Sequence, residues 1–239
     1  MSNIRQSTRP PRSGNNQNRA QDTPEVRMSK ALSYILRHGA QKEGLAIRAD
    51  GYIKVDDLFK RPKLRGLDFP TLEKLVKNNE KQRFQLLFES SATSSSAPAT
   101  AALAPGVNTS GTWWIRANQG HTLKVEDLDL TEVLDASQLP VAVHGTTRQA
   151  WESISRQGLS KMARNHIHLA TGRPGDPGVK SMRASSTVLI FIDVPKAVKD
   201  GFKFFISANG VVLTEGNKDG FIPPQYFKSV ESRDGTAIV

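Results

Sequence analysis

Cysteine is absent from all 239 residues. Disulfides, thiolate nucleophiles and cysteine-ligated metals are therefore excluded. Long apolar runs are missing as well: no stretch approaches the about 20 residues that a membrane helix needs. The N-terminus lacks the hydrophobic segment of a signal peptide. An intracellular protein of the cytoplasm, the nucleus or both is expected, with no membrane partner. Neither a paired-His zinc spacing nor a carboxylate cluster occurs, so no metal is expected. No internal repeat is visible.

What is present is positive charge. Lys and Arg number 33 against 23 Asp and Glu, a net charge of +10, which favours a polyanionic partner because phosphates attract these cations and release counterions on binding. Charge alone does not separate nucleic acid from an acidic membrane. With 37% hydrophobic residues the chain can hold one large domain or two small ones. Residues 1–27 are rich in Arg, Gln, Asn, Ser and Pro and are expected to be a disordered basic tail in which Arg5, Arg9, Arg12 and Arg19 can contact RNA loosely.

The pattern Ser29-Lys-Ala-Leu-Ser-Tyr-Ile-Leu-Arg-His-Gly39 reads as a short amphipathic helix with Leu32, Ile35 and Leu36 on one face. Ser29 is its expected cap and Gly39 its expected left-handed stop. Arg37 and His38 then stand together at a helix terminus. Basic groups there complement the helix dipole; with further cations from elsewhere they form an anion site. Asp50-Gly51 predicts a tight hairpin, Val55 to Phe59 a helical turn, Pro70 to Asn78 a helix and Gln82 to Phe88 a strand. Residues 89–111, almost all Ser, Ala, Thr, Pro and Gly, are a low-complexity loop inserted between two strands of one hairpin. The first unit, 28–134, has the composition of a winged helix.

After the connector Asp135-Ala-Ser-Gln-Leu-Pro140 strands dominate. Val141 to His144 leads into Gly145-Thr146-Thr147, with Thr147 capping a helix that Gly158 stops. Ile167 to Ala170, Thr187 to Asp193, Phe202 to Ser207 and Val211 to Thr214 read as strands, and Asn209-Gly210 as a hairpin turn. Two packed sheets with one or two helices fit 135–239. The fold class is thus α+β in two lobes. Arg83, Arg116, Arg164 and Arg183 each adjoin small polar or Gly residues where backbone can approach a ligand, and all five histidines, His38, His121, His144, His166 and His168, lie in or beside such clusters.

Seven segments, in order, resemble the tRNA 2′-phosphotransferase family: Ser29 to His38, Asp50-Gly-Tyr52, Lys81-Gln-Arg-Phe84, Ala117-Asn-Gln-Gly-His121, His144-Gly-Thr146, Met162-Ala-Arg-Asn-His-Ile-His-Leu169 and Arg183-Ala-Ser-Ser186. The resemblance spans roughly Ser29 to Phe227. It implies an N-terminal winged-helix-like RNA lobe and a C-terminal, β-rich, ADP-ribosyltransferase-like NAD lobe. It also implies transfer of the internal 2′-phosphate of spliced tRNA to NAD⁺, the co-substrate, through an ADP-ribosylated RNA, giving ADP-ribose 1″,2″-cyclic phosphate and nicotinamide. A monomer is expected.

By the same resemblance the catalytic set is Arg37, His38, Arg83 and Arg164. Arginine suits the work, since its planar fork makes paired, charge-assisted bonds to phosphate oxygens. At a helix C-terminus His38 is expected as imidazolium. His144, Gly145 and Thr146 match the NAD⁺ motif, the glycine letting the dinucleotide lie against backbone. His166 and His168 alternate along a strand; His168 is the one assigned to the cofactor cleft, with Arg183, Ser185 and Ser186 at the pyrophosphate or adenosine end. The hairpin Asn209-Gly-Val-Val-Leu213 carries no carboxylate, which argues against ordinary protein ADP-ribosylation. Gly172-Arg-Pro-Gly-Asp-Pro-Gly178 lacks the ending of a P-loop and reads as a loop near the cofactor. Two alternatives stay open: an ADP-ribosyltransferase that caps terminal phosphates of RNA or DNA, and a non-enzymatic RNA-binding module.

Overall fold

Thr23-Pro24-Glu25 starts the first helix. Thr23 is extended and its hydroxyl accepts from the Val26 N–H at 3.3 Å, Pro24 needs no donor in the first turn, and Glu25 suits the positive end of the dipole. The computed structural model describes residues 22–91, 110–179, 182–183 and 185–238. Helix α1 (Pro24–Tyr34) therefore begins well before Ser29, which lies inside it and caps nothing. The expected tail is corrected at its end, because the capping trio outweighs the polar composition around it. The rest of that tail, with its four arginines, lies outside the described residues.

Helix α1 runs into a π-helical turn, Ile35–Gly39. Leu32, Ile35 and Leu36 are fully buried, each side chain worth about 1.5–3 kcal/mol by transfer from water. Gly39 is not the left-handed stop expected of it, since its φ is not positive. Its lack of a side chain serves a close approach: a Cβ would lie 2.6 Å from Cε1 of Tyr34. The left-handed glycine comes later, at Gly44 (φ +67), after which the Leu45 N–H returns to the Ala40 carbonyl at 2.9 Å.

Around Gly51 (φ +84) the predicted turn forms, with the Arg48 N–H donating to the Tyr52 carbonyl at 2.9 Å. The strand that follows, β1 (Ile53–Lys54), pairs elsewhere, because Ile53 gains burial opposite Ile115. Next come α2 (Val55–Phe59) and α3 (Phe69–Lys77), the latter capped by Asp68 on the Thr71 N–H. Strands β2 (Phe84–Ser90) and β3 (Gly111–Ala117) pair antiparallel from Phe84↔Ala117 to Ser90↔Gly111, in a sheet ordered β1-β3-β2. The insert's residues 92–109 lie outside the described residues. A core of Leu32, Ile35, Leu36, Ile53, Leu58, Leu72 and Ile115 joins these elements.

The remaining elements are β4 (Leu130–Glu132), β5 (Val143–Thr146), α4 (Arg148–Gln157), β6 (Leu159–Ser160), β7 (Ile167–Leu169), β8 (Val188–Ile192), α5 (Val194–Lys199), β9 (Phe205–Ser207), β10 (Val212–Thr214), β11 (Phe221–Ile222) and β12 (Phe227–Ser232). They form sheets ordered β4-β9-β10-β7 and β12-β8-β5, with a β11-β6 pair. Phe204, Leu159, Leu169, Ile190 and Val212 anchor a second core between them. Strand β4 corrects the expected boundary at 134: it pairs with β9, and Val133 is buried in this second core, so the unit begins before Asp135. Thr147 caps α4 and Gly158 (φ +90) ends it, and Gly210 (φ +76) turns β9 into β10, all as the sequence predicts. The mixture of helix and sheet is α+β.

Candidate active site

The π-helical turn places Arg37 and His38 on the wall of a groove of about 620 Å³ between α1 and α3, which Arg83, Asn79, Lys81 and Tyr34 also line. Such turns widen a helix locally and recur at functional sites. The segment 118–123, continuing from β3, packs against this turn. Thr122 and Leu123 donate their N–H groups to the Arg37 carbonyl, at 3.0 and 3.4 Å. The Thr122 hydroxyl donates to the same carbonyl at 3.5 Å and its oxygen accepts from Nδ1 of His38 at 3.0 Å. That fixes the ring and leaves Nε2 as the nitrogen open to a ligand. Arg37 lies on the backbone of Gly120, where a Cβ would come within 3.3 Å of Nε.

Arg83 opens β2. Its main-chain N–H and its Nη1 both donate to Oδ1 of Asn79, at 3.2 and 3.3 Å, and its carbonyl accepts from the Asn118 N–H at 2.9 Å. Arg164 comes from the other core, in the loop between β6 and β7. The neighbouring Asn165 donates from N to the His121 carbonyl at 3.1 Å and from Nδ2 to the Leu123 carbonyl at 3.0 Å, tying that loop to the 118–123 segment.

Arg164 lines a second cavity of about 290 Å³ with His144, Gly145, Thr146, His168, Arg183, Ser185 and Ser186. All the residues assigned from the sequence to a cofactor thus border one cleft. Nδ1 of His144 donates to the His168 carbonyl at 2.9 Å, so Nε2 carries no proton in the neutral ring and can accept. Burial depresses the His144 pKa, the carbonyl bond opposing and Arg183 and Arg164 adding to the fall. Nε2 of His168 is buried without a partner among the described residues. Burial, then Arg164 and Arg37, push that imidazole down to about 3. His166 faces away, its ring 6.4 Å from that of Phe205.

Gly145, besides lining the cleft, allows a close approach. A Cβ there would lie 2.6 Å from Cγ of Met182 and 2.7 Å from Oγ of Ser186. The glycine lets the side chains of Met182 and Ser186 close over β5. Ser186 is buried, whereas Arg183 and Ser185 are exposed at the rim. The Gly-rich loop at 172–178 does not line this cleft; Arg173 is instead paired with Glu231.

The two cavities meet electrostatically. Burial, then Arg83 and Arg164, pull the Arg37 guanidinium down to about 10. Burial lowers Arg83, with Glu80 opposing, and burial then Arg183 lower Arg164. Among the described residues no carboxylate forms an ion pair with any of these three arginines. Nε and Nη2 of Arg37 are buried and unpartnered. Half-buried, mutually repelling cations with open donors are unfavourable unless an anion joins them. His38 follows the same field: burial, then Arg37 and Arg164, lower its pKa, the opposite direction to the one expected from the helix end. Burial and the neighbouring guanidiniums together act against the attraction of a helix terminus, which is worth at most about 1–2 kcal/mol.

Arg116 is not part of this cluster. It is buried and spent on structure, donating twice to Gln85 at 3.0 and 2.8 Å, pairing with Asp129 at 3.2 Å and lying over the Tyr52 ring. Sequence reasoning missed Asn79 and Thr122, and gave Gln82, Asn118 and His121 no role beyond their motifs. The clue at hand was Asn118-Gln-Gly-His121 itself, a polar run after a strand with a glycine on which a side chain can lie. Among the described residues no group of His, Asp and Glu stands together as a metal site, and no helix is long and apolar enough to cross a membrane.

Residues 23–216 match the model of the "RNA 2'-phosphotransferase, Tpt1 / KptA family". The chain is 46% identical over 206 residues to the Homo sapiens tRNA 2'-phosphotransferase 1, covering 85% of this chain and 74% of that protein. It is 44% identical over 215 residues to a putative tRNA 2'-phosphotransferase of Schizosaccharomyces pombe; this covers 90% of the chain but 53% of that protein, about half its length. A probable RNA 2'-phosphotransferase of Rhizobium leguminosarum is 32% identical over 204 residues, 84% of this chain and 92% of its own.

Proposed function

The chain belongs to the RNA 2'-phosphotransferase, Tpt1 / KptA family, and from that premise we propose that it is an enzyme transferring the internal 2′-phosphate of spliced tRNA to NAD⁺. One observation carries the reading: three guanidiniums from distant parts of the chain, unpaired with any described carboxylate, gather where two cavities adjoin. A phosphate dianion is the ligand whose charge and donor needs such a cluster satisfies.

In this reading the RNA enters along the groove and NAD⁺ takes the cleft. A free oxygen of the 2′-phosphate bonds to the anomeric carbon of the nicotinamide ribose while the carbon–nitrogen bond breaks, its electron pair leaving with nicotinamide. The ribose 2″-oxygen then bonds to phosphorus, and the bond from phosphorus to the RNA 2′-oxygen breaks. The 2″-hydroxyl gives up one proton and the RNA 2′-oxygen takes one. The products are 2′-hydroxyl RNA and ADP-ribose 1″,2″-cyclic phosphate.

The substrate supplies its own nucleophile, so the protein's work is alignment and charge compensation. Arg37 and Arg83 hold the phosphate from the groove, and Arg164 reaches it from the cleft. His38, whose pKa burial and the neighbouring arginines lower while the site is empty of anion, gains a proton when the phosphate's negative charge arrives and offers Nε2–H to the developing charge. At the co-substrate, Nε2 of His144 accepts from a ribose hydroxyl and Nε2 of His168 gains a polar partner, which fits the two open nitrogens described above. A cleft of about 290 Å³ matches one half of a dinucleotide, small-molecule sites starting at about 300 Å³. The other half extends past Arg183 and Ser185.

On the same reading the first core is a winged-helix-like RNA lobe and the second an ADP-ribosyltransferase-like NAD⁺ lobe, the boundary falling ahead of β4. The protein works as a monomer, in the cytoplasm or nucleus, and needs no metal. The test incubates an RNA bearing one internal 2′-phosphate with NAD⁺ and follows both products. Nicotinamide release with dephosphorylated RNA supports the proposal. A stable ADP-ribosylated RNA marks an enzyme that stops after one transfer, and no NAD⁺ consumption ends the enzymatic reading.

A further inference from the structure

Two residues other than glycine among those described have positive φ: Gln82 (φ 44) and Met162 (φ 56). Gln82 immediately precedes Arg83 and Met162 stands just before Arg164 in its loop. A left-handed conformation costs a side-chain-bearing residue of order 1 kcal/mol, so it persists where surrounding bonds impose it. At Gln82 those bonds are explicit. Its N–H and its Nε2 donate to the Asn79 carbonyl at 2.8 and 2.9 Å, and its own carbonyl accepts from Nδ2 of Asn118 at 2.7 Å.

Asn79 and Asn118 therefore grip the same two residues from opposite sides. Asn79 follows α3 and holds Arg83 by main chain and by guanidinium; Asn118 follows β3 and holds Gln82 by side chain and Arg83 by main chain. Both are buried, at 9% and 8% exposure. An arginine has several free rotors, and one bond at its fork together with a fixed backbone removes most of that freedom before substrate arrives. A neutral amide can do this without cancelling the charge, which a carboxylate in the same place would do.

We propose that Asn79 and Asn118 are positioning residues for Arg83: they set the strained Gln82-Arg83 backbone and aim one guanidinium at the RNA phosphate, acting through Arg83. The proposal rests on the reading of Arg83 as a phosphate-gripping residue.

The experiment is a double-mutant cycle on the full chain, with Asn79→Ala and Asn118→Ala each made alone and combined with Arg83→Ala. Steady-state rates are measured with varied 2′-phosphorylated RNA, then with varied NAD⁺. A lost bond to a charged group predicts a fall in kcat/KM for RNA of about tenfold to hundredfold in Asn79→Ala, and a lost neutral bond a fall of about threefold to tenfold in Asn118→Ala, with the KM for NAD⁺ unchanged within about twofold. In the Arg83→Ala background the same substitutions should cost under about threefold, because the residue they act through is gone. Equal losses in both backgrounds, or a matching rise in the NAD⁺ KM, would overturn the proposal while leaving the grip by Arg83 intact. If Arg83→Ala alone keeps near-normal rates, both fall together. Should Asn79→Ala fail to fold, Asn118→Ser, which keeps the main-chain bond to Arg83 and removes the bond to Gln82, carries the same test.

Discussion

The imidazole of His144 donates from Nδ1 to the main-chain oxygen of His168 at 2.9 Å, which leaves His144 one nitrogen for a ligand beside the unpartnered Nε2 of His168. That single bond decides the chemistry of the pair. His144 offers a bare Nε2 as acceptor, and it does so because its neighbour's backbone has claimed the other nitrogen.

Replacing His144 by Ala should therefore raise the KM for NAD⁺ by about tenfold to hundredfold, the worth of a ligand hydrogen bond plus a vacated carbonyl. RNA binding should stay within about twofold. Kinetics with each substrate varied in turn check this, and an unchanged NAD⁺ KM removes His144 from the co-substrate site.

Phosphate binding should take up a proton at His38. The ring's pKa is lowered in the free protein by burial, Arg37 and Arg164, and an arriving dianion raises it. Between those two values the complex holds a proton that the free protein lacks, so affinity weakens as pH rises through the bound-state pKa. Calorimetry in two buffers of different ionisation enthalpy should show net proton uptake on binding, and none in His38→Asn. Equal uptake in the variant would place the proton elsewhere.

Arg83→Lys and Arg164→Lys keep the charge and lose the fork. Both should slow turnover by at least about tenfold, and because the second transfer bears the greater negative charge at phosphorus, ADP-ribosylated RNA should accumulate in at least one. Gel analysis of single-turnover reactions would reveal it. Near-normal rates in both variants would contradict the phosphate clamp.

Acid should destabilise the fold through its buried histidines. Burial and the surrounding cations hold His121 at about 4 and His168 at about 3, against an ordinary 6.5. Between those values the unfolded chain binds protons that the folded one refuses, so this stability is fully present above about pH 6.5 and is lost as pH falls. The groups pressing on His121 are Arg37, His38, Arg116 and His166. Melting temperature should decline from about pH 6.5 to about pH 4.5, with a shallower slope in His121→Asn and His168→Asn. Parallel curves for all three proteins would refute the assignment.

Much of this fold is legible in the sequence where a signal is local. Thr147 and Gly158 bracket α4, and Asn209-Gly210 turns a hairpin, because capping and left-handed backbone are decided within a few residues. Local signals also mislead. Gly39 after an apolar stripe looks like a stop, yet its role is set by the ring of Tyr34, and β4 joins a sheet whose partner strand lies far along the chain. The motif residues could be named in advance because resemblance carries them. Their supports could not, since Asn118 meets Gln82 and Asn165 meets His121 only after the chain has folded.

Residues 118–123 touch Arg37, Arg83 and the neighbour of Arg164 alike, and they are the direct continuation of β3. Sliding β3 by one residue along β2 would turn its side chains over and pull Asn118, Gly120 and His121 out of place in a single movement. Alignment of a two-stranded ladder seven residue pairs long thus governs the spacing of cations drawn from three separate regions. Mutations that loosen that ladder, though remote from either cavity, should disarrange every part of the centre at once.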